Sequence, residues 1–272
     1  MDKNDPTLPL LAEPEQLAQI LDNENILVVD LRKPERYAQG HIPGAVHFDR
    51  KSLVSGNPPA PGKLPEIDQI ARSMSAIGLD KDHHLIAYDD EGGGWAGRLL
   101  WTLDVIGHPP ASALNGGIGA WLGAGQPVSL QVPQIVASDY SIGRGANVVA
   151  SRDEILSRLG EPSLALLDAR SPEEYNGTRV RAIKTGHIPG AINLNWTDAM
   201  DKDLRLLPDN VLRGMLAERG ISPQQEVIVY CHTHHRSAHS YIMLRHLGYP
   251  NVKGYDGSWS EWGNDTDTPV EV

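Results

Sequence analysis

The sequence predicts an α/β protein made of two tandem copies of one domain, each a mostly parallel sheet flanked by helices. Three observations carry the prediction. Short apolar runs such as ILVVD (26–30) and LALLD (164–168) suit strands buried on both faces of a parallel sheet. Helical stretches alternate with these runs, as in strand–helix layer architectures. A set of motifs also recurs once along the chain. At 272 residues the chain has room for two such domains.

The repeat is explicit. Residues 27–45 read LVVDLRKPERYAQGHIPGA, and residues 165–191 read ALLDARSPEEYNGTRVRAIKTGHIPGA. Asp30 maps onto Asp168 and His41 onto His187, so the second copy carries an eight-residue insertion around 178–185. HLIAYDD (84–90) matches VIVYCHT (227–233), and each copy closes on a Gly-and-Trp segment ending at Trp121 or Trp262. LIAY and VIVY read as further buried strands. LPEIDQIARSMSAIG (64–78), LPDNVLRGMLAERG (207–220) and RSAHSYIMLRHLG (236–248) read as helices, the latter two ending at a Gly suited to the position just past a helix. The stretch 128–147 has no helical period and reads as a linker between a first domain at 1–127 and a second at 148–272.

Composition narrows the function classes. The formal net charge is −11, and no Lys/Arg run occurs, which argues against nucleic acid as a partner. No apolar run approaches the ~20 residues of a membrane span. The N-terminal stretch MDKNDPTLPLLAEPEQL lacks the basic and apolar regions of a secretory signal. A cytoplasmic protein without a membrane partner is expected. Cys231 is the only cysteine, so no intramolecular disulfide can form.

The chemistry gathers at that cysteine. Cys231 follows the strand VIVY, and the loop Cys231-His232-Thr233-His234-His235-Arg236-Ser237 leads into the next helix. Such a loop aims backbone N–H groups and the positive end of a helix dipole into the space above it. A thiol placed there ionises more readily than a free one, and Arg236 adds a permanent cation. The pattern points to a reactive thiolate and a small anionic substrate. The first copy has Asp89 at the matching position, followed by Asp90 and Glu91. A carboxylate cannot serve as a sulfur nucleophile, and adjacent acids repel anions. The first copy is therefore expected to be inactive and the second catalytic. Gly92-Gly93-Gly94 lacks the spacing of a nucleotide-binding loop.

Two Asp-x-Arg…Gly-His-Ile-Pro-Gly-Ala copies, with a cysteine heading a six-residue strand-to-helix loop in the second only, resemble a tandem-domain rhodanese over nearly the whole chain. The loop CHTHHR is most similar to the His-rich version found in certain bacterial thiosulfate sulfurtransferases. The resemblance implies two rhodanese-like domains and sulfur transfer from thiosulfate to a thiophilic acceptor such as cyanide, through a persulfide on Cys231. It implies Cys231 and Arg236 as catalytic residues, with His232, Thr233, His234, His235 and Ser237 around the donor, and no cofactor. Alternatives are 3-mercaptopyruvate as donor, or a persulfide carrier that hands sulfur to a partner protein. A monomer is expected, because two fused copies already supply a pseudo-symmetric pair.

Other residues carry two readings. Asp168 and Arg170 recur as Asp30 and Arg32 in the copy without a nucleophile, which favours a structural pair, with Arg170 as a substrate contact the second reading. His41 and His187 read as parts of a rigid turn. Trp196 either lines the pocket or packs the core. Better-known thiosulfate:cyanide enzymes carry a second substrate Arg four residues after the Asp-x-Arg; that position here is Glu174, and Arg179, Arg181 or Lys184 are the candidates to replace it. His235 and His239 have the i, i+4 spacing of zinc ligands, but a zinc site would consume the only thiol, so no metal is expected. A related phosphatase would need a loop one residue longer between Cys and Arg.

Overall fold

A computed structural model describes residues 7–272. The chain divides into two compact units. The first comprises residues up to 53, 65–146 and 202–205; the second comprises 54–64, 147–201 and 206–272. Each unit thus includes a short segment from the other half of the chain, which the repeat alone does not reveal.

In the first unit, β1 (Leu11–Ala12), α1 (Pro14–Ile20), β2 (Ile26–Asp30), α2 (Pro34–Ala38), β3 (Val46–His47), α3 (Ile67–Ala76), β4 (His84–Tyr88), α4 (Gly94–Ile106), β5 (Ser112–Leu114) and α5 (Gly117–Gly123) follow in order. The sheet runs β1-β5-β4-β2-β3, and all its pairings are parallel. The second unit contains α6 (Arg152–Ser157), β6 (Leu164–Asp168), α7 (Pro172–Tyr175), β7 (Ile192–Asn193), α8 (Asp209–Glu218), β8 (Glu226–Tyr230), α9 (Arg236–His246), β9 (Val252–Gly254) and α10 (Ser258–Trp262). Its parallel sheet runs β7-β6-β8-β9. The central strands fall where the apolar runs place them. Both helices expected to end at a glycine in the second copy do so, with Gly220 and Gly248 in the left-handed region. Residues 128–147 hold no helix.

The recurring motifs turn out to be one interaction repeated. Asp168 ends β6 opposite Tyr230 at the end of β8. Its carboxylate takes Arg170 Nη2 at 2.6 Å and Nε at 3.0 Å. Arg170 Nη2 also donates to the carbonyl of Gly186 at 2.8 Å, which ties the strand end to the Gly-His-Ile-Pro turn. The Tyr230 hydroxyl accepts from Ile188 N–H in that same turn. The first unit repeats the arrangement with Asp30, Arg32, Gly40, Tyr88 and Ile42. His187 stacks on Tyr175 at 3.7 Å and His41 on Tyr37 at 3.9 Å, and each Nδ1 faces the carbonyl of its own tyrosine. Both histidines belong to the turn. In each unit the closing tryptophan, Trp121 or Trp262, is fully buried in the core beside the strands.

The fork generates a stability expectation. Arg170 is 1% exposed and its counter-ion Asp168 is fully buried. Asp168→Ala leaves a buried guanidinium without its carboxylate and should cost the second unit about 3–5 kcal/mol. Urea denaturation measures this, and a loss under about 1 kcal/mol would show that the fork is dispensable.

Candidate active site

Cys231 is the residue after β8, and α9 starts five residues later at Arg236. The intervening turn closes tightly because His234 adopts φ +59, the left-handed region that non-glycine residues rarely enter. That bend directs His234 N–H back at the cysteine, 3.1 Å from Sγ. The His234 ring is buried and its Nδ1 lies 2.7 Å from Ser237 Oγ, which fixes the strained residue in place. A second turn supports the loop. Cys231 N–H donates to Ser258 Oγ at 3.3 Å, while Trp259 and Ser260 N–H donate to the carbonyls of Cys231 and His232 at 3.0 Å each. Segment 54–64 touches the loop too: a Cβ added to Gly62 would come within 2.5 Å of the Thr233 carbonyl oxygen.

Electrostatics favour a thiolate. Burial pushes the Cys231 thiol up, but the Arg236 charge, the Ser237 hydroxyl and N–H, and the Thr233 N–H together bring it below its ordinary value. Cys231 is fully buried. Burial, and after it the Arg236 charge, bring His232 below its ordinary value.

Arg236 is not a free cation. Its Nη1 and Nη2 bind Glu174 Oε2 and Oε1 at 2.7 and 3.1 Å, a bidentate fork onto a carboxylate that is 2% exposed. Burial pushes Glu174 up, but the Arg236 bonds and charge prevail and set its pKa at about 2. Arg181 approaches the same carboxylate at 3.8 Å and is 45% exposed. Lys184, by contrast, is committed to Thr266 and Thr268.

The remaining sequence-predicted residues separate into two groups. The structure gathers Cys231, His234, Ser237 and Arg236 around one sulfur, with His232, Thr233 and His235 on the same loop. Trp196 stands beside that loop, edge-on to His235 at 6.4 Å and to His239 at 5.5 Å. Burial holds His239 at about 4. Arg170 is spent on Asp168 and Gly186, beneath the rings of Tyr230 and Trp259. Among the described residues no group of three His, Cys, Asp or Glu side chains could hold a metal ion. Sequence reasoning missed Ser258 and the 255–260 turn, and it noted Glu174 only as a departure. The capping-box spacing Ser171–Glu174 was the one signal available for Glu174.

The first unit explains what this loop geometry is for. Asp89, at the position of Cys231, is buried, and its carboxylate accepts four backbone N–H bonds: Glu91 at 3.0, Gly93 at 2.8, Trp95 at 2.8 and Ala96 at 3.0 Å. Burial holds its pKa above the ordinary carboxylate value, although the four donors pull the other way. Gly92 and Gly93, both at φ +87, allow the chain to wrap the carboxylate. The glycines therefore cradle the protein's own anion.

Comparison with known proteins agrees with this geometry. A model of the rhodanese-like domain matches residues 13–124 and 151–265. A thiosulfate sulfurtransferase of Azotobacter vinelandii is 47% identical over 266 residues, 98% of each chain. One from Pseudomonas aeruginosa is 48% identical over 267 residues, 97% of this chain and 98% of the relative. A 3-mercaptopyruvate sulfurtransferase of Escherichia coli is 31% identical over 268 residues, 94% and 95% of the two chains. The solved structure of wild-type EanB shares the fold, with a TM-score of 0.87 at 24% identity, across 97% of this chain and 69% of that one. No helix among the described residues is long and apolar enough to cross a membrane.

The Asp89 cradle is open to test. Asp89→Asn keeps the shape but turns an NH2 group toward N–H groups that now donate to the carboxylate, leaving them unsatisfied. The first unit should lose about 1–3 kcal/mol, read by its unfolding transition. Unchanged stability would mean that the carboxylate does not hold the loop.

Proposed function

Because the chain belongs to the rhodanese-like domain family, we propose that it is a thiosulfate sulfurtransferase working through a persulfide on Cys231. The observation that carries the reading is the sulfur of Cys231, faced by the His234 N–H at 3.1 Å and by the Arg236 charge. The equivalent atoms of the other copy are a carboxylate and its four N–H donors.

The Cys231 thiolate attacks the outer sulfur of thiosulfate. A Cys231 S–S bond forms, the donor's S–S bond breaks, and sulfite leaves with the electron pair. The persulfide carries its charge on the terminal sulfur, where the loop N–H groups and Arg236 stabilise it as fixed donors do in other anion sites. Cyanide or a thiol then attacks that terminal sulfur, and the thiolate is regenerated as thiocyanate or a new persulfide departs. Atoms and electrons balance without an added cofactor, and the two half-reactions give ping-pong kinetics. His232, Thr233, His235, Ser237 and Trp196 surround the donor, and Arg181, exposed beside Glu174, is the basic residue of the insertion best placed to meet it. Arg170 acts at a distance by holding the strand end. Along the sequence, residues 1–127 carry the inactive copy, 128–147 the linker and 148–272 the catalytic copy, with 54–64 belonging to the second compact unit and 202–205 to the first. The protein works as a cytoplasmic monomer, and a protein acceptor is the alternative to a small thiol.

Mercaptopyruvate is the second donor to consider, since a guanidinium fork takes a carboxylate as readily as a sulfonate and a 3-mercaptopyruvate sulfurtransferase is among the relatives. Turnover with cyanide should be faster from thiosulfate; a large preference for mercaptopyruvate would exchange the donor and keep the mechanism.

The covalent step is checked by mass. Because Cys231 is the only cysteine, thiosulfate followed by desalting should leave intact protein one sulfur atom heavier, and cyanide should restore the starting mass. Cys231→Ser should show neither change, since a hydroxyl is not ionised near pH 7. Wild-type protein that gains no mass from thiosulfate or mercaptopyruvate would refute the assignment.

A further inference from the structure

The eight residues that only the second copy carries stand at the edge of the reactive loop. In the first unit three residues separate Tyr37 from the histidine it stacks on, and in the second unit eleven separate Tyr175 from His187. Both turns close alike, with the arginine of the Asp-x-Arg motif on a glycine carbonyl. The turn itself therefore has no need of the extra length.

The insertion is a compact loop with its ends held together. A Cβ built on Gly177 would lie 3.1 Å from Gly186 N. Arg179 N–H donates to the Glu173 carbonyl at 2.8 Å. At the far end, Ile183 N–H reaches Asn264 Oδ1 at 3.0 Å, Lys184 N–H reaches the Gly263 carbonyl at 2.8 Å, and Lys184 Nζ reaches the Thr266 carbonyl at 3.0 Å. Ala182 packs against the core of the unit. These contacts employ Ala182 and Lys184 but leave the side chains of Arg179, Val180, Arg181 and Ile183 exposed. Val180 is 63% exposed and Ile183 79%, high values for large aliphatic side chains.

Charge sets this tip apart as well. Residues 178–185 hold three of the chain's 24 Lys and Arg and none of its 35 Asp and Glu, in a protein of net charge −11. The acids around the loop are mostly matched. Glu174 is held by Arg236 as well as approached by Arg181, Asp265 is paired with Arg152, and Asp168 with Arg170. Glu271 lies at the base of the loop beside His187, and Glu173 is the exposed carboxylate that meets Arg179. The tip thus offers two guanidiniums and two aliphatic side chains together. Arg181 connects it to the reactive loop through Glu174, which holds Arg236.

We propose that the 178–185 loop is the docking surface for a protein sulfur acceptor whose contact segment is acidic, with apolar side chains between its acids. Carboxylates of the partner take Arg179 and Arg181 in the forked geometry that guanidinium favours, and its apolar side chains cover Val180 and Ile183. The acidic remainder of the chain repels such a segment elsewhere, so the loop also orients the encounter. The partner's thiol loses its proton to solvent and attacks the terminal sulfur of the Cys231 persulfide. The Cys231 S–S bond breaks, the partner becomes the persulfide, and Cys231 leaves as thiolate with the electron pair. The inference rests on the sulfurtransferase reading for the persulfide, though not for the binding.

The test loads full-length protein with thiosulfate and discharges it with two synthetic thiol peptides. One alternates glutamate and leucine ahead of a cysteine; the other has glutamine for each glutamate. Return of the intact mass gives the rate. The acidic peptide should discharge wild-type protein about three- to tenfold faster than the neutral one, an advantage that salt reduces. Arg179→Gln should cut that advantage about two- to fivefold. Val180→Ser combined with Ile183→Ser should slow both peptides about three- to tenfold. Cyanide, which needs no docking, should discharge both variants at the wild-type rate. Equal rates from the two peptides on wild-type protein would overturn the proposal. So would variants that keep the wild-type peptide rates, or that slow cyanide as much as the peptides. Wild-type protein that never gains the sulfur atom would refute the sulfurtransferase reading alone. Fluorescence anisotropy of the same peptides, labelled and with serine for cysteine, then decides the docking: the acidic peptide should bind wild-type protein more tightly than Arg179→Gln, and equal binding would overturn the proposal.

Discussion

A strand that runs directly into a helix leaves the N–H groups of the connecting turn without partners, and those groups converge on one point above the strand end. In this chain both units place a negative atom at that point. The first unit uses the Asp89 carboxylate, bound by four N–H groups. The second uses the Cys231 sulfur, approached by His234 N–H and governed by Arg236. A carboxylate completes the turn permanently. A thiolate completes it too, and can in addition attack, carry a sulfur atom and be released. The structural turn and the reactive one differ at their head, Asp89 or Cys231, and five residues on, Gly94 or Arg236.

That geometry depends on the strand ends staying fixed. The buried Asp168–Arg170 fork, the Gly186 carbonyl and the Tyr230 hydroxyl join β6, β8 and the following turn into one rigid unit. Tyr230 immediately precedes Cys231, so the network sets the height at which the sulfur leaves the sheet. The same network in the first unit holds Asp89, which explains why the Asp-x-Arg and Gly-His-Ile-Pro-Gly-Ala motifs recur where no thiol is present. Their function is to position whatever follows the strand.

Much of this was legible in the sequence, because it rests on local patterns. Continuous apolar runs mark the central strands, glycines mark the ends of α8 and α9, and the position of Cys231 after VIVY marks the site. What escaped the sequence depends on contacts between distant segments. Glu174 and Arg236 are 62 residues apart, and nothing in either neighbourhood predicts the fork. The loop pattern marks Arg236 as a permanent cation, and folding supplies it with a buried partner. Ser258, at φ +50, supports the cysteine from 27 residues downstream, and no residue-type signal distinguishes it from any loop serine. The exchange of 54–64 and 202–205 between units is likewise a tertiary event. Asp89 was legible as chemically inert, while its four bonds became visible only with the fold.

The reactivity of Cys231 depends on the turn stabilising a negative sulfur in spite of complete burial. A direct pH titration of the thiolate's ultraviolet absorbance in the native protein measures this, and with one cysteine in the chain the signal has one source. The midpoint should lie below the ~8.5 of a free thiol, because cation and N–H donors outweigh burial at Cys231. A midpoint at or above that of a free thiol would mean that burial prevails and that the loop does not hold an anion.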